Sequence, residues 1–437
     1  MQHIYQQPQF GENWFTFPHL YSRMVKLFPS GSRFVEVGSW KGKSSSFMAV
    51  EIANSKKDIE FYCVDTWQGS VEHQGMDLSN LYDVFIDNMK PVEKYYFPLK
   101  LSSLEAAQKF KDNSLDFVFI DASHEYEDVK KDIAAWLPKV KPGGILAGHD
   151  YDSFWPGVVR AVNETLRIVF ADEHCFVYYK NKLGNFPSIN CVTIEESEHR
   201  RSALKQKMAS YDLYDINFHI FPRYKEGDCK LIGSRVDQLH LYSKGPVTSH
   251  LKAIKNWLKN SNEEYTFFCE DDLGLNTVPY WNFNWTEFYN NLPADWECVQ
   301  LVWIREADHF LDHGYKLRNR CWCDWSGCAY LIKRSFAQKL IDHYHPNDYF
   351  FLEYQGADAK LREWWALIPT IETIVFSNVG KVYSFPLFVE DIIGCQSTYV
   401  ESGQGYLHHD SHEIVMNLWE HTLSSMSIRD IIPLTSE

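Results

Sequence analysis

Short β-rich runs alternate with helical patterns between residues 1 and 183, and this alternation constrains the fold more than any other feature of the sequence. Alternating strands and helices form a mostly parallel sheet with helices on its faces. The predicted strands are residues 33–37, 60–65, 96–99, 115–120 and 144–147. The predicted helices are residues 43–53, 103–110 and 126–137. Each predicted strand ends at a polar or glycine-containing turn, and in doubly wound sheets ligands bind at that edge.

A turn-rich stretch at residues 181–188 interrupts this pattern and is predicted to link two domains. After it, residues 189–194 form a predicted strand and residues 199–210 a predicted helix. A chain of 437 residues is also long for one hydrophobic core. We therefore expect two α/β domains, at residues 1–183 and 188–437.

The charge balance limits the partners that this chain can have. It carries 43 Lys and Arg against 58 Asp and Glu, a formal net charge of -15, without a basic stripe. A nucleic acid is therefore not an expected partner. Residues 1–10 lack an apolar signal core, and no run approaches the roughly 18 apolar residues of a membrane span. The sequence predicts a cytoplasmic protein with no membrane span, and it leaves a homo-oligomer open.

The ten cysteines do not have the dense, even spacing of a disulfide framework. Cys321, Cys323 and Cys328 raise the alternative of a zinc site, but the usual paired CxxC spacing is absent. Reduced, partly buried thiols are therefore expected.

The turn after the first predicted strand contains Gly38 and Gly42, and a helix is predicted to begin at Lys43. Two glycines let the backbone approach a ligand closely, and a helix N-terminus favours anionic groups. A phosphate loop needs four residues between its glycines, and this turn has three. A dinucleotide fingerprint, G-x-G-x-x-G, needs its second glycine where Trp40 stands. The pattern that remains is Glu36-x-Gly38-x-x-x-Gly42.

The next two predicted strands add candidate contacts for a nucleoside. Asp65 ends the second strand, where a carboxylate can hold a ribose diol, and the alternative is an aspartate that caps a turn. The third strand leads to Ser103, a candidate contact for an adenine ring.

Acidic and histidine side chains follow the last two predicted strands of this domain. Asp121 and His124 come after one strand, and His149 and Asp150 come after the other. If the strands are neighbours, the four side chains converge at one sheet edge, where carboxylate and imidazole ligands suit a divalent cation. Each residue alone is also compatible with a helix cap or a solvated turn.

Three motifs carry a family resemblance: Ile-Asp-x-x-His-x-Tyr at residues 120–126, Lys-Pro-Gly-Gly at 141–144 and Gly-His-Asp-Tyr at 148–151. Together they resemble the macrolide and cephamycin type of metal-dependent O-methyltransferase, over about residues 30–180. His149 stands where relatives often carry an acidic residue.

This resemblance implies a Rossmann-like sheet and methyl transfer to a hydroxyl of a glycan or a sugar-containing small molecule. It implies that S-adenosylmethionine is bound by Glu36, Gly38, Gly42, Asp65 and Ser103. It implies that Mg²⁺ is held by Asp121, His149 and Asp150. His124 is then the catalytic general base, which accepts the proton of a hydroxyl whose pKa the cation lowers.

A second acidic cluster follows an apolar run at residues 264–269. Glu270, Asp271 and Asp272 are adjacent, so they repel one another unless they are solvated or bound to a cation. The alternative is a solvated acidic turn.

The order of motifs around this triplet resembles the family 25 glycosyltransferases, over about residues 188–400. A Ser-His pair lies in a predicted helix at residues 249–250, and Gly-Cys-Ala-Tyr at 327–330 precedes a predicted helix. The resemblance implies an α/β domain of glycosyltransferase A type. It implies that Glu270 and the catalytic Asp272 hold Mn²⁺ or Mg²⁺ against the diphosphate of a nucleotide-sugar. Asp358 is a further candidate, for an acceptor-side acid.

The expected function is a bifunctional carbohydrate-modifying enzyme that transfers a methyl group and a glycosyl group. One alternative is an active methyltransferase with a non-catalytic glycan-binding module, and another is an NAD-dependent sugar oxidoreductase. The tail around His408 and His412 is predicted to form a polar cap before a helix at residues 413–423, with a metal site as the alternative.

Overall fold

The computed structural model describes residues 1–11, 14–69, 75, 77–166, 170–234, 236–238, 241–305, 315–321, 323–353, 370–376, 380–391 and 405–432. The chain divides into two compact units. The first comprises Met1–Asn185 and Asn284–Thr286, and the second comprises Phe186–Phe283 and Glu287–Glu437. The division falls within the stretch that was predicted to link two domains.

Within the described residues, seven strands form the sheet of the first unit. They are β1 (Arg33–Val37), β2 (Glu60–Asp65), β3 (Phe97–Lys100), β4 (Leu115–Ile120), β5 (Val140–Gly148), β6 (Phe170–Asp172) and β7 (Cys175–Tyr179). Their order across the sheet is β3-β2-β1-β4-β5-β7-β6. The strands from β1 to β5 are parallel, and β7 is antiparallel to both of its neighbours. The order reverses between β1 and β4, so a crevice for a ligand is expected at their carboxyl ends.

The helices of the first unit cover both faces of this sheet. They are α1 (Pro18–Leu27), α2 (Lys43–Ser55), α3 (Leu81–Met89), α4 (Ser103–Ala107), α5 (Tyr126–Trp136) and α6 (Pro156–Thr165). One core cluster joins α1, α2 and α3 to the sheet, and the other joins α5 and α6 to the opposite face. The two central strands contribute to both clusters, because alternate side chains of a strand point to opposite faces. This burial explains why β1 and β4 are nearly continuous apolar runs.

The structure confirms the α/β class that the sequence predicts, with differences at the element ends. β5 begins four residues earlier than predicted, at Val140. α4 ends at Ala107, three residues before the predicted end, although its start is fixed by a capping box between Ser102 and Glu105. Strands β6 and β7 were not predicted.

The second unit contains another seven-stranded sheet among its described residues, in the order β14-β17-β13-β15-β11-β8-β9. Its strands are β8 (Ile189–Ile194), β9 (Ile216–Phe221), β11 (Tyr265–Glu270), β13 (Cys298–Gln300), β14 (Arg318–Asn319), β15 (Ala329–Lys333) and β17 (Val382–Ser384). Strands β9, β8 and β11 are parallel, and β15 is antiparallel to β11. Two small pairs lie outside it: β10 (Lys230–Ile232) with β16 (Tyr349–Phe351), and β12 (Leu273–Gly274) with β18 (Val389–Glu390).

The helices of the second unit confirm its α/β character, while its glycosyltransferase type stays a prediction. They are α7 (Glu198–Ala209), α8 (Leu241–Asn260), α9 (Trp285–Asn290), α10 (Arg334–Tyr344), α11 (Ile371–Ile374), α12 (Gly405–His421) and α13 (Ile428–Ile431). The first two residues of α9 count with the first unit. The predicted polar cap around His408 is wrong, because α12 begins at Gly405 and includes that residue.

We predict that Gly38→Ala destabilises the fold much more than Gly31→Ala. Both glycines have a positive φ, +96° and +88°, so a side chain strains either backbone by about 1–3 kcal/mol. A Cβ at Gly38 would also lie 1.7 Å from the carbonyl oxygen of Asp121, whereas nothing lies within 4 Å at Gly31. Relieving that overlap is expected to cost about 1–3 kcal/mol more.

Urea denaturation of the full chain measures both free energies of unfolding. Equal losses for the two variants would show that the close approach of Gly38 to Asp121 is not needed for stability.

Candidate active site

The turn after β1 approaches the turn after β4 at Gly38. The Gly38 N–H donates to the carbonyl of Val64 (2.8 Å), and the Asp121 N–H donates to the carbonyl of Val37 (2.7 Å). Gly42 also has a positive φ, and a Cβ there would lie 2.9 Å from the side chain of Met89. Both glycines predicted to contact a cofactor are therefore required by packing as well.

Glu36 was predicted to contact the cofactor, and the structure directs its carboxylate into the interior instead. Glu36 is 1% exposed. Tyr21 donates to Oε1 (2.8 Å), and Ser39 (2.9 Å) and Ser45 donate to Oε2. Burial raises the pKa of Glu36, although these hydroxyl groups counteract the effect. The carboxylate of Glu36 therefore holds the turn in place, and its contact with a cofactor stays a prediction.

Asp65 joins the turns that follow β1 and β2. Its carboxylate accepts the backbone N–H of Trp40 (2.8 Å) and that of Trp67 (2.6 Å). The indole of Trp67 donates to the carbonyl of Trp40 (2.8 Å). The turn-capping role that the sequence left open is thus present, and a carboxylate has further lone pairs for a ligand.

The hydroxyl of Ser103, predicted to face an adenine ring, is engaged inside the fold. It donates to Asp132 (2.5 Å) and accepts the indole N–H of Trp136 (2.9 Å), both on α5. Burial raises the pKa of Asp132 to about 6. This side chain therefore belongs to a structural contact between α4 and α5, and a cofactor contact at Ser103 stays a prediction.

Asp121, His124 and Asp150 converge at the carboxyl ends of β4 and β5. One ligand atom from each lies within 4.8 Å of the other two, and in the part of the chain that the structure describes this is the one such group of three. His124 Nε2 lies 2.7 Å from Asp150 Oδ2. The donor set, two carboxylates and an imidazole, has the chemistry that a divalent cation requires.

His149, the predicted third metal ligand, lies beside this group rather than in it. Its Nδ1 is 3.3 Å from Asp150 Oδ2 and 3.7 Å from Asp121 Oδ1, and its Nε2 is 2.9 Å from Thr16 Oγ1. Burial alone lowers the pKa of His149, but the hydrogen bonds and charges of the two carboxylates outweigh it and raise the pKa to about 10. The imidazole is thus held as a cation between two anions.

Several side chains near this group were not singled out from the sequence. Trp155 stacks on the ring of His124, with centroids 3.9 Å apart and an interplanar angle of 25°. Its neighbour Phe154 is 84% exposed, and Trp14, whose ring lies 6.4 Å from that of Trp40, is 55% exposed. The aromatic content of 16% was the only sequence signal for them.

The acidic triplet of the second unit lies at the end of β11, whose last residue is Glu270, and Arg200 forms ion pairs with the other two members. Arg200 Nε lies 2.8 Å from Asp271 Oδ1, and its Nη2 lies 2.5 Å from Asp272 Oδ2. Despite this arginine, burial raises the pKa of Asp271 to about 6. Glu270 contacts His250 Nε2 at 3.2 Å. Arg200 would therefore compete with a metal ion for Asp272, which was predicted to hold that ion together with Glu270.

A further acid, Glu390 of β18, reaches the same strand end. Leu273 pairs with Glu390, and the Asp391 N–H donates to the carbonyl of Asp272 (2.6 Å). Glu390 accepts from Ser326 (2.8 Å) and contacts His408 Nδ1 (2.6 Å). The tail histidine predicted to belong to a cap thus lies against this acid.

Two other predictions have different outcomes. Asp358, the candidate acceptor-side acid, lies outside the described residues. The cysteines Cys321, Cys323 and Cys328 form no disulfide, and they do not belong to a metal-binding group of three among the described residues.

Residues 35–151 match a family described as "Methyltransferase domain". The chain contains a methyltransferase domain. The match spans β1 to the turn after β5 and includes all four acidic and histidine residues at the sheet edge.

Two relatives and one solved structure are similar to parts of the chain. An uncharacterized protein of Sinorhizobium fredii, y4gI, is 31% identical over 118 residues, which are 27% of this chain and 13% of that protein. An uncharacterized protein of Acanthamoeba polyphaga mimivirus, R132, is 23% identical over 41% of this chain and 79% of that protein. The structure of the O-methyltransferase NovP is 17% identical over 37% of this chain and 78% of its own, with a TM-score of 0.29. Within the described residues, no helix has the length and apolar character to cross a membrane.

We predict that His149 stays protonated through neutral pH in the metal-free protein. Its pKa of about 10 in the folded chain exceeds the ordinary value of 6.5, so its protonation stabilises the fold. This stability is fully present below about pH 6.5 and is lost as the pH rises towards 10. An NMR titration of the His149 ring measures the pKa, and Asp150→Asn should lower it by removing one neighbouring charge. Titration of His149 near 6.5 would contradict the arrangement.

Proposed function

We propose that the first unit transfers a methyl group from S-adenosylmethionine to a hydroxyl group, with a divalent cation at Asp121, His124 and Asp150. The observation that carries the proposal is the convergence of these three side chains beside the glycine turn of a methyltransferase domain. The turn after β1 would take the cofactor, and Asp65 would receive its ribose. The acceptor is proposed to be a glycan or a sugar-containing small molecule, because the same chain carries a second unit that resembles a glycosyltransferase.

The residues present fit a cation in geometry and in charge. Two carboxylates offer oxygen ligands, and the ring of His124 is held by Trp155 with Nε2 towards Asp150. A divalent cation bound there would lower the pKa of the acceptor hydroxyl and orient it. S-adenosylmethionine, when bound, supplies an electrophilic methyl group. The chain must then accept the hydroxyl proton as the oxygen attacks.

The two imidazoles give two versions of this site. The sequence predicts His149 as the ligand and His124 as the base. The grouping of His124 with both carboxylates favours the reverse, with His124 as the ligand. In that version a divalent cation at the carboxylates would oppose the positive charge of His149 and lower its pKa, and the deprotonated imidazole could then accept the proton of the hydroxyl. Thr16, which is exposed, contacts its other nitrogen and offers a route for the proton to solvent.

We predict that Asp150→Asn lowers both cation affinity and methyl transfer, the latter by about 10²-fold or more, because it removes a ligand of the cation. Asp152→Asn is the matched control. It alters a carboxylate two residues away that pairs with His174 (3.2 Å) and not with the group of three. Calorimetric titration with Mg²⁺ or Mn²⁺ measures affinity, and transfer of a labelled methyl group from S-adenosylmethionine measures activity.

The same titration on His124→Ala and His149→Ala separates the two versions. Loss of affinity in His124→Ala alone supports His124 as the ligand, and loss in His149→Ala alone supports the version that the sequence predicts. Full methyl transfer in EDTA, with unchanged affinity in all variants, would refute the cation. An NAD-dependent oxidoreductase is the alternative for this sheet, and Trp40 at the second glycine position of the dinucleotide fingerprint argues against it.

For the second unit we propose glycosyl transfer from a nucleotide-sugar at the strand end Glu270–Asp272, with Mn²⁺ or Mg²⁺ and with Asp272 as the catalytic acid group. The observation that favours it is a second polar centre at the carboxyl ends of the parallel strands β8 and β11, where ligands bind in open α/β sheets. The alternative is a non-catalytic glycan-binding module.

Asp272→Asn is expected to abolish turnover of a nucleotide-sugar while methyl transfer is retained. Asp228→Asn, which alters an exposed carboxylate in a turn after β9, is the control. Hydrolysis and transfer are followed by release of nucleoside diphosphate across a panel of sugar nucleotides. Turnover that is unchanged in Asp272→Asn would favour the binding module.

A further inference from the structure

The second unit contains an open cavity of about 490 Å³ that none of the predicted catalytic residues lines. It lies between the C-terminal end of α7, the segment after β12 and the residue after β18. The residues that line it include Lys207, Tyr211, Leu275, Asn276, Pro279 and Asp391.

The charges in this cavity balance each other. Lys207 and Asp391 form an ion pair, with side chains that are 26% and 14% exposed. Lys207 also reaches the carbonyl of Leu273 at 3.4 Å. An anionic ligand would be repelled by Asp391 and a cationic ligand by Lys207, unless the ligand broke the ion pair. A neutral ligand with hydroxyl groups fits both, because a hydroxyl can accept from an ammonium and donate to a carboxylate.

The remaining lining offers apolar surface beside polar groups. Leu275 is buried (5%), and Pro279 and the ring of Tyr211 are partly exposed. Burial raises the pKa of Tyr211 to about 12, so its phenol is neutral at physiological pH. The amide of Asn276 is exposed to solvent at the same place. A flat ring, an apolar floor and matched donors and acceptors together suit a ligand with one apolar face and many hydroxyl groups.

The cavity also adjoins the acidic strand end. Asp391, which lines it, donates its N–H to the carbonyl of Asp272 (2.6 Å), and β12 begins one residue after Asp272. We propose that this cavity binds a neutral saccharide, as the acceptor of a transfer at the Glu270–Asp272 strand end. Its role as an acceptor site rests on the proposed glycosyl transfer, whereas the binding of a saccharide does not.

Saturation-transfer NMR on the full chain tests the binding without any donor. The probes are glucose, galactose, mannose and lactose, with glucuronic acid and glucosamine as charged counterparts. We expect saturation-transfer signals from a neutral sugar. The affinity for that sugar should fall about tenfold in Tyr211→Ala, because a stacking contact is lost. Tyr214→Ala is the matched control, because Tyr214 is 69% exposed three residues further on and does not line the cavity. Asn276→Ala, at an exposed position, repeats the test where Tyr211→Ala fails to fold, with exposed Asn262→Ala as its control.

The outcomes distinguish this site from the proposed reaction. No signal from any neutral sugar, equal signals from the charged sugars, or signals that persist in both cavity variants would overturn the saccharide site. Sugar binding that survives in Asp272→Asn while no sugar nucleotide is turned over by the wild type would leave the saccharide site and refute the transfer. Transfer whose acceptor KM is unchanged in Tyr211→Ala and Asn276→Ala would refute the role of the cavity as the acceptor site.

Discussion

The packing of Gly38 against the backbone of Asp121 is the contact on which the candidate site of the first unit depends. β1 and β4 are neighbours in the sheet, so the turns that follow them leave from the same edge. With no side chain at Gly38, the two turns can touch, and a backbone hydrogen bond from Asp121 to Val37 holds them together. The turn proposed to receive a cofactor and Asp121 are therefore one structural unit. The proposed methyl transfer needs this proximity, because a reaction between two bound groups is limited by how closely they are held.

The carboxylate beneath this turn links it to the N-terminal segment. Glu36 is buried, and a buried carboxylate is tolerated only when hydrogen-bond donors replace water. Tyr21 of α1 and Ser45 of α2 supply two of these donors. Thr16, two residues before the start of α1, contacts His149 at the other side of the site. The N-terminal segment thus holds both the glycine turn and His149 in place. It therefore belongs to the site, although it precedes the matched residues 35–151.

The sequence predicted the elements whose patterns are local, and it missed the contacts that depend on the tertiary fold. β1, β2 and β4 are apolar runs that end in recognisable turns, and their bounds agree with the structure. β7 is a short apolar run, which periodicity cannot distinguish from other buried segments. The convergence of Asp121 with Asp150 follows from strand adjacency alone. The contact between Thr16 and His149 joins residues 133 positions apart and has no local signal.

The acidic triplet of the second unit shows how a missing partner changes an interpretation. From sequence, adjacent carboxylates had to be solvated or bound to a cation. In the structure the buried guanidinium of Arg200 serves two of them, and it keeps its charge at any physiological pH. A divalent cation at this strand end would have to bind in addition to that arginine or displace it. In the first unit, the groups next to the carboxylates are imidazoles, which can lose a proton and become ligands. The two acidic strand ends therefore differ in chemistry: the first pairs its carboxylates with imidazoles, whose charge depends on protonation, and the second pairs two of its carboxylates with a guanidinium, whose charge is fixed.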